Sequence, residues 1–188
     1  MQSSEIIDIV VSVLALAIAF AIGRLGYFPI ILLTIGVGFV AHELAHRFVA
    51  NHYGAKAFYR AWPEGLLLMF AMTLISGGRF LFAAPGAVYI YSSYLSKREN
   101  GIISITGAMM NFILAIFFLF VAVAIGLRGT PSSEMLAESF VSFGTYMNLY
   151  LAFFNMIPIP PLDGSKVIRW NFIVWLVFFA ILFALLFL

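Results

Sequence analysis

The chain contains no cysteine. Disulfides and thiolate-bound metals are excluded, so a transition metal would have to be held by histidine and carboxylate. Charge is also scarce. Asp, Glu, Lys and Arg make up only 10% of the 188 residues, against about a quarter in a soluble domain. The net charge of +2 is too small to point to nucleic acid. The chain is instead rich in apolar residues, 64% of the total, and its mean hydropathy is +1.09. This composition predicts an all-α polytopic membrane protein, with residues 1–188 forming a single membrane-embedded domain.

The first apolar run, residues 6–22, is preceded by Glu5 and contains Asp8 near its start. It lacks the basic flank of a secretory signal peptide and reads as a retained span over 5–23. A second span covers 28–50, after the link Arg24-Leu25-Gly26-Tyr27. Residues 51–65 are polar, and the aromatic-rich 57–62 has the composition of a short strand. Residues 66–75 have the composition of an apolar helix, but Gly77-Gly78-Arg79 and Pro85-Gly86 do not suit a simple crossing. Residues 88–94 are β-branched and aromatic. The stretch 66–96 is expected to dip into the membrane and return, with its non-helical backbone covered by protein or lining a wet cavity. After a polar loop at 97–100, further spans are expected at 102–127, 135–156 and 167–188. The expected fold therefore has five to six transmembrane helices, with a short re-entrant or β-hairpin element between the second helix and the next core helix.

His42-Glu43-Leu44-Ala45-His46 reads H-E-x-x-H. On a helix, residues four apart share a face one turn apart, so both imidazoles can reach one metal ion. Glu43 flanks them as general base, the pattern of a zinc hydrolase. The motif lies inside the second span, with His42 roughly 12 Å before its end. Ionisable groups are costly at that depth and are functional by default. His52 stands ten positions after His42, where some zinc enzymes place a third ligand. The Gly that such enzymes need in between is Val49 here. A continuing helix carries His52 about 15 Å along the axis, out of reach, so His52 is expected at the interface beside Tyr53.

The second constellation is Asn155-Met156-Ile157-Pro158-Ile159-Pro160-Pro161-Leu162-Asp163-Gly164. Three prolines in four residues cannot continue a helix, so the chain unwinds here. Asp163 is then a carboxylate on irregular backbone. It can complete a two-histidine metal site and leave a position for water, or it can cap the span that follows. Asn155 and Asn111 lie in or near apolar helices. They can serve helix–helix hydrogen bonding, or they can orient Asp163 or hold an unwound substrate backbone.

An H-E-x-x-H within a transmembrane helix, followed far downstream by N-x-x-P-x-P-x-x-D-G, resembles the site-2 protease family of intramembrane metalloproteases. Gly107-Ala108-Met109-Met110-Asn111 is similar to that family's G-P-x-x-N, with Ala108 in place of the proline. The resemblance spans about residues 28–175. It implies zinc, one per chain, on His42, His46 and Asp163, with Glu43 activating water. It also implies a minimal member without a PDZ or CBS domain, or a fragment of a longer protein.

The expected function is a zinc-dependent intramembrane endopeptidase that cleaves transmembrane segments of membrane-protein substrates. Its partners would be a transmembrane protein or peptide and the lipid bilayer. An extended substrate could pair with the strand-like stretch 88–94. The alternative is a non-proteolytic metal-binding or metal-transport protein, disfavoured because the ionisable groups lie mainly at one depth. The positive-inside rule places the protein in the cell membrane with its active site toward the cytoplasm. Arg47, Lys56, Arg60, Lys97, Arg98, Lys166 and Arg169 then lie inside, and Arg24 and Arg128 outside.

Overall fold

The computed structural model describes residues 3–79, 81–91 and 95–188. Helices α1 (Ser3–Ala21) and α2 (Phe28–His52) are joined through a 3-10 turn, Leu25–Tyr27. Strand β1 (Lys56–Ala61), helix α3 (Pro63–Ile75) and strand β2 (Gly86–Tyr91) follow. The remaining helices are α4 (Lys97–Gly126), α5 (Pro131–Ser139), α6 (Met147–Asn155), α7 (Gly164–Trp170) and α8 (Phe172–Phe187), with a π-helical segment, Phe140–Tyr146, between α5 and α6.

Among the described residues, three helices are long and apolar enough to cross a membrane: Ser4–Ala21, Leu25–His52 and Lys97–Gly126. Helices α3 and α8 are apolar but shorter. The remaining expected spans differ from these in instructive ways. The run expected at 167–188 is broken at Asn171, which has φ −150° and ψ 107°. The Asn171 carboxamide accepts hydrogen bonds from the Ile173 and Val174 N–H groups and so caps α8, a role in which Asn outperforms its poor helix-interior propensity. The run expected at 135–156 starts earlier, at Pro131, under a Thr130–Ser133 capping box, and becomes π-helical in its middle. Residues 97–100 form the first turn of α4 rather than a loop. Ser96 and Glu99 make a reciprocal capping box there: Glu99 N–H donates to Ser96 Oγ at 3.2 Å, and Ser96 N–H donates to Glu99 Oε2 at 2.8 Å.

The excursion after α2 leaves and comes back to the same place. Strands β1 and β2 pair antiparallel, from Lys56↔Tyr91 to Ala61↔Gly86. Beyond them, Trp62 N–H donates to the Pro85 carbonyl at 2.8 Å. The strand expected at 57–62 and the β-like stretch at 88–94 are thus partners, with α3 between them; residues 92–94 lie outside the described residues.

The acidic start of α1 holds this sheet. Glu5, Asp8 and Ser12 recur at helical spacing and share one face. Buried Glu5 accepts hydrogen bonds from Arg47 Nη1 at 2.8 Å and from Tyr59 N–H at 3.1 Å. Tyr59 Oη donates to Ser12 Oγ at 2.8 Å, and Arg60 reaches Asp8 at 3.4 Å. The start of α1 therefore lies against the end of α2 and β1. One apolar cluster joins α1, α2 and α3 with Phe143, Leu151 and Phe154. A second packs α4, α6 and α8 around Ala108, Ala152 and Leu182; the two alanines let apolar helices approach closely.

Candidate metal centre

Helix α2 presents His42 and His46 side by side, with ring centroids 4.6 Å apart. Both rings and the Glu43 side chain are buried. Each imidazole has its Nδ1 already engaged. His46 Nδ1 is 2.8 Å from the Ile103 carbonyl oxygen, and His42 Nδ1 is 2.6 Å from Asn111 Oδ1. A carbonyl oxygen can only accept, so each Nδ1 carries the proton and each Nε2 keeps its lone pair.

The two Nε2 atoms face each other at 2.9 Å. Asp163 Oδ2 lies 2.9 Å from His46 Nε2 and 3.5 Å from His42 Nε2. Three acceptor atoms thus converge with no hydrogen available among them, an arrangement that calls for a cation. Their separations bracket the roughly 3.3 Å expected between ligand atoms of a tetrahedral zinc site. His42, His46 and Asp163 could together hold a metal ion.

Asp163 reaches this point because the chain turns through Pro158, Pro160 and Pro161 after α6. It stands at the start of α7, but its side chain makes no capping hydrogen bond. One carboxylate oxygen faces the histidines, and the other accepts from Lys166 Nζ at 3.1 Å. Glu43 lies beside this group, and its Oε2 is buried with no hydrogen-bond partner among the described residues. An orphaned carboxylate oxygen is costly unless a polar ligand or water sits against it. Glu43, the two histidines and Asp163 all line one cavity of about 450 Å³. Its walls include Trp62, Leu151, Asn155 and the β2 residues from Gly86 to Ile90.

Helix α4 approaches α2 at Gly107, where a Cβ would run into Nε2 of both histidines. This close approach is what brings the Ile103 carbonyl and Asn111 within reach of the rings. Asn155 lines the cavity, but its Nδ2 donates to the Leu151 carbonyl of its own helix at 2.9 Å. His52 ends α2 and packs edge-on against Tyr53, away from the site.

Several participants escape sequence reasoning. The Ile103 carbonyl has no side-chain signal. Lys166 looks like an ordinary loop cation. Ser104 is buried at the cavity, and its hydroxyl has no partner among the described residues. Asn148, fully buried, donates nothing to the cavity but bonds to Asn111. It stands two helical turns before Asn155, and that spacing of two amides along one apolar face was a readable signal.

Helices of membrane-spanning length that enclose a His-His-Asp set beside a glutamate define the class as a membrane metalloprotease. Comparison with known proteins makes this specific. A family model described as peptidase family M50 matches residues 122–177. A protein of Methanocaldococcus jannaschii named "Putative zinc metalloprotease MJ0611" is 46% identical over 173 residues, covering 91% of this chain and 86% of its own length. Bacillus subtilis "Putative zinc metalloprotease YwhC" is 32% identical over 156 residues, covering 77% of this chain and 70% of its own. A longer M. jannaschii protein, "Zinc metalloprotease MJ0392", is 28% identical over 145 residues, 34% of its length. No solved structure matches the chain. The chain belongs to peptidase family M50, the site-2 protease group.

Proposed function

We propose that this protein is a zinc-dependent intramembrane endopeptidase that cuts transmembrane segments of other membrane proteins. The observation that carries the reading is the convergence of His42 Nε2, His46 Nε2 and Asp163 Oδ2 beside the orphaned Glu43 carboxylate, among helices of membrane-spanning length. The ligands would be His42, His46 and Asp163, holding one zinc per chain.

When bound there, the metal would polarise the scissile carbonyl and lower the pKa of a water. Glu43 would take a proton from that water and deliver it to the leaving nitrogen. Lys166 holds the outer oxygen of Asp163, which leaves the inner one for the metal. Asn111 orients His42. Asn155 would use its remaining amide capacity on the backbone of an unwound substrate.

A helical substrate is shielded by its own hydrogen bonds and must open locally. Strand β2 borders the cavity and, among the described residues, pairs on one side only, with β1. Its other edge would accept the opened segment by strand addition. The domain would comprise residues 1–188 in the cell membrane, with the active site toward the cytoplasm.

The test is cleavage of a helical peptide by purified protein in detergent. Wild type should cut, and chelator should abolish cutting until zinc is restored. Glu43→Gln should lower the rate by about 10²–10⁴-fold while zinc stays bound. Zinc binding without any cleavage by wild type would favour a metal-binding or transport protein.

A further inference from the structure

We propose that Asn148 is a positioning residue that sets the His42 tautomer through Asn111, so that His42 offers its Nε2 lone pair to the metal. The inference rests on the metal-site reading above and concerns a residue that neither lines the cavity nor touches a ligand.

Asn148 sits in α6 with no exposed surface. Its Nδ2 donates to the Gly144 carbonyl at 2.8 Å and to the Thr34 carbonyl at 3.4 Å. Both partners can only accept, so the nitrogen is pinned on their side and Oδ1 on the other. Oδ1 accepts from Asn111 Nδ2 at 3.0 Å. The second Asn111 Nδ2 hydrogen goes to the Gly38 carbonyl, also at 3.0 Å. Both hydrogens of the Asn111 amide are therefore used. Flipping that amide would set its oxygen against two other acceptor oxygens. Asn111 Oδ1 is left facing His42 Nδ1, and His42 must place its proton there.

Without Asn148, only the Gly38 carbonyl would oppose the flip. A flipped Asn111 would donate to His42 Nδ1, and the proton would move to Nε2, where it blocks the metal. The space for this clasp is built in. A Cβ on Gly38 would collide with Asn148 Oδ1. The acceptor Gly144 lies inside the π-helical segment, and such segments recur at functional positions because they re-aim the helix that follows. The clasp thus ties α2, α4 and α6 together at one ring nitrogen.

The test uses nitrogen NMR of ¹⁵N-histidine-labelled, zinc-free protein at a pH where the imidazoles are neutral. The chain has three histidines, so each ring can be assigned. In wild type, His42 should carry its proton on Nδ1. In Asn148→Leu an Nε2–H population of His42 should appear; in Asn148→Asp, whose carboxylate still accepts from Asn111 Nδ2, it should not, and His46, held by the Ile103 carbonyl, should not change in either. Zinc affinity by chelator competition should fall about tenfold in Asn148→Leu, the lower end of the range for outer groups around a metal. A wild-type His42 protonated on Nε2 would overturn the proposal without any variant. So would a folded Asn148→Leu variant, even one with a lowered Tm, in which both tautomer and zinc affinity are unchanged. If wild type bound no zinc, the metalloprotease reading would fail, and the tautomer spectra would still decide the role of Asn148.

Discussion

The ring of His46 is held by a backbone group, the Ile103 carbonyl at 2.8 Å, whereas the ring of His42 is held by a side chain, Asn111 at 2.6 Å. The two proposed ligands are therefore unequally exposed to mutation. Asn111→Leu should weaken zinc binding by about 10–100-fold, as removal of a metal ligand's partner typically does. Ile103→Val leaves the carbonyl in place and should change zinc affinity by less than about twofold, since a buried methylene is felt mainly in stability. Chelator competition on both proteins measures the difference.

Asp163 supplies the only carboxylate oxygen that converges with the histidines among the described residues. Asp163→Ala should reduce zinc content from about one per chain to a small fraction, a larger effect than the roughly 10–100-fold loss for an outer group. Metal analysis of the purified variant decides it. Unchanged zinc content would remove Asp163 from the ligand set.

Glu5 satisfies both a guanidinium and a strand N–H. Glu5→Ala strands both donors and should lower stability by about 2 kcal/mol, the scale of a hydrogen bond to a charged group. Glu5→Gln keeps an acceptor and should lose less. Thermal unfolding in detergent should rank the three proteins in that order, and equal Tm values would show that α1 does not anchor the sheet.

Orientation is testable without background because the chain has no cysteine. Lys56, Lys97 and Arg169 are exposed. Single cysteines at these positions should all label from the cytoplasmic side, and one at exposed Arg128 from the opposite side. Arg169 is preferred to Lys166, whose ammonium holds Asp163. Opposite labelling at 56 and 97 would contradict the return of the chain through β2.

Much of the candidate site was legible because its chemistry demands rigid spacing. Two histidines one turn apart, and an aspartate after a run of prolines, need no structure to be noticed. The Asn111–Asn148 clasp was harder to read, because a buried amide in an apolar helix usually just binds a neighbouring helix. Within the fold, apolar runs located the long helices well. The end of the chain misled because a single asparagine is easily passed over in a long apolar run, and Asn171 stops one helix and caps the next. Glu5 and Asp8 counted only as a missing basic flank; their spacing on one helix face was the clue to their grip on β1. The capping box at Ser96 and Glu99 was visible as S-x-x-E and turns an expected loop into helix.

The bond from Tyr59 N–H to Glu5 also sets the phase of the sheet. Because that N–H points away from β2, Tyr59 and Val88 form a non-hydrogen-bonded pair. By alternation, the backbone groups of Gly86, Val88 and Ile90 point to the unpaired edge of β2. A peptide strand laid along that edge can slide only in steps of two residues, because a single step would turn every one of its side chains to the other face. The scissile bond presented to Glu43 would then move in dipeptide increments, and alternative cleavage sites in one substrate would differ by even numbers of residues.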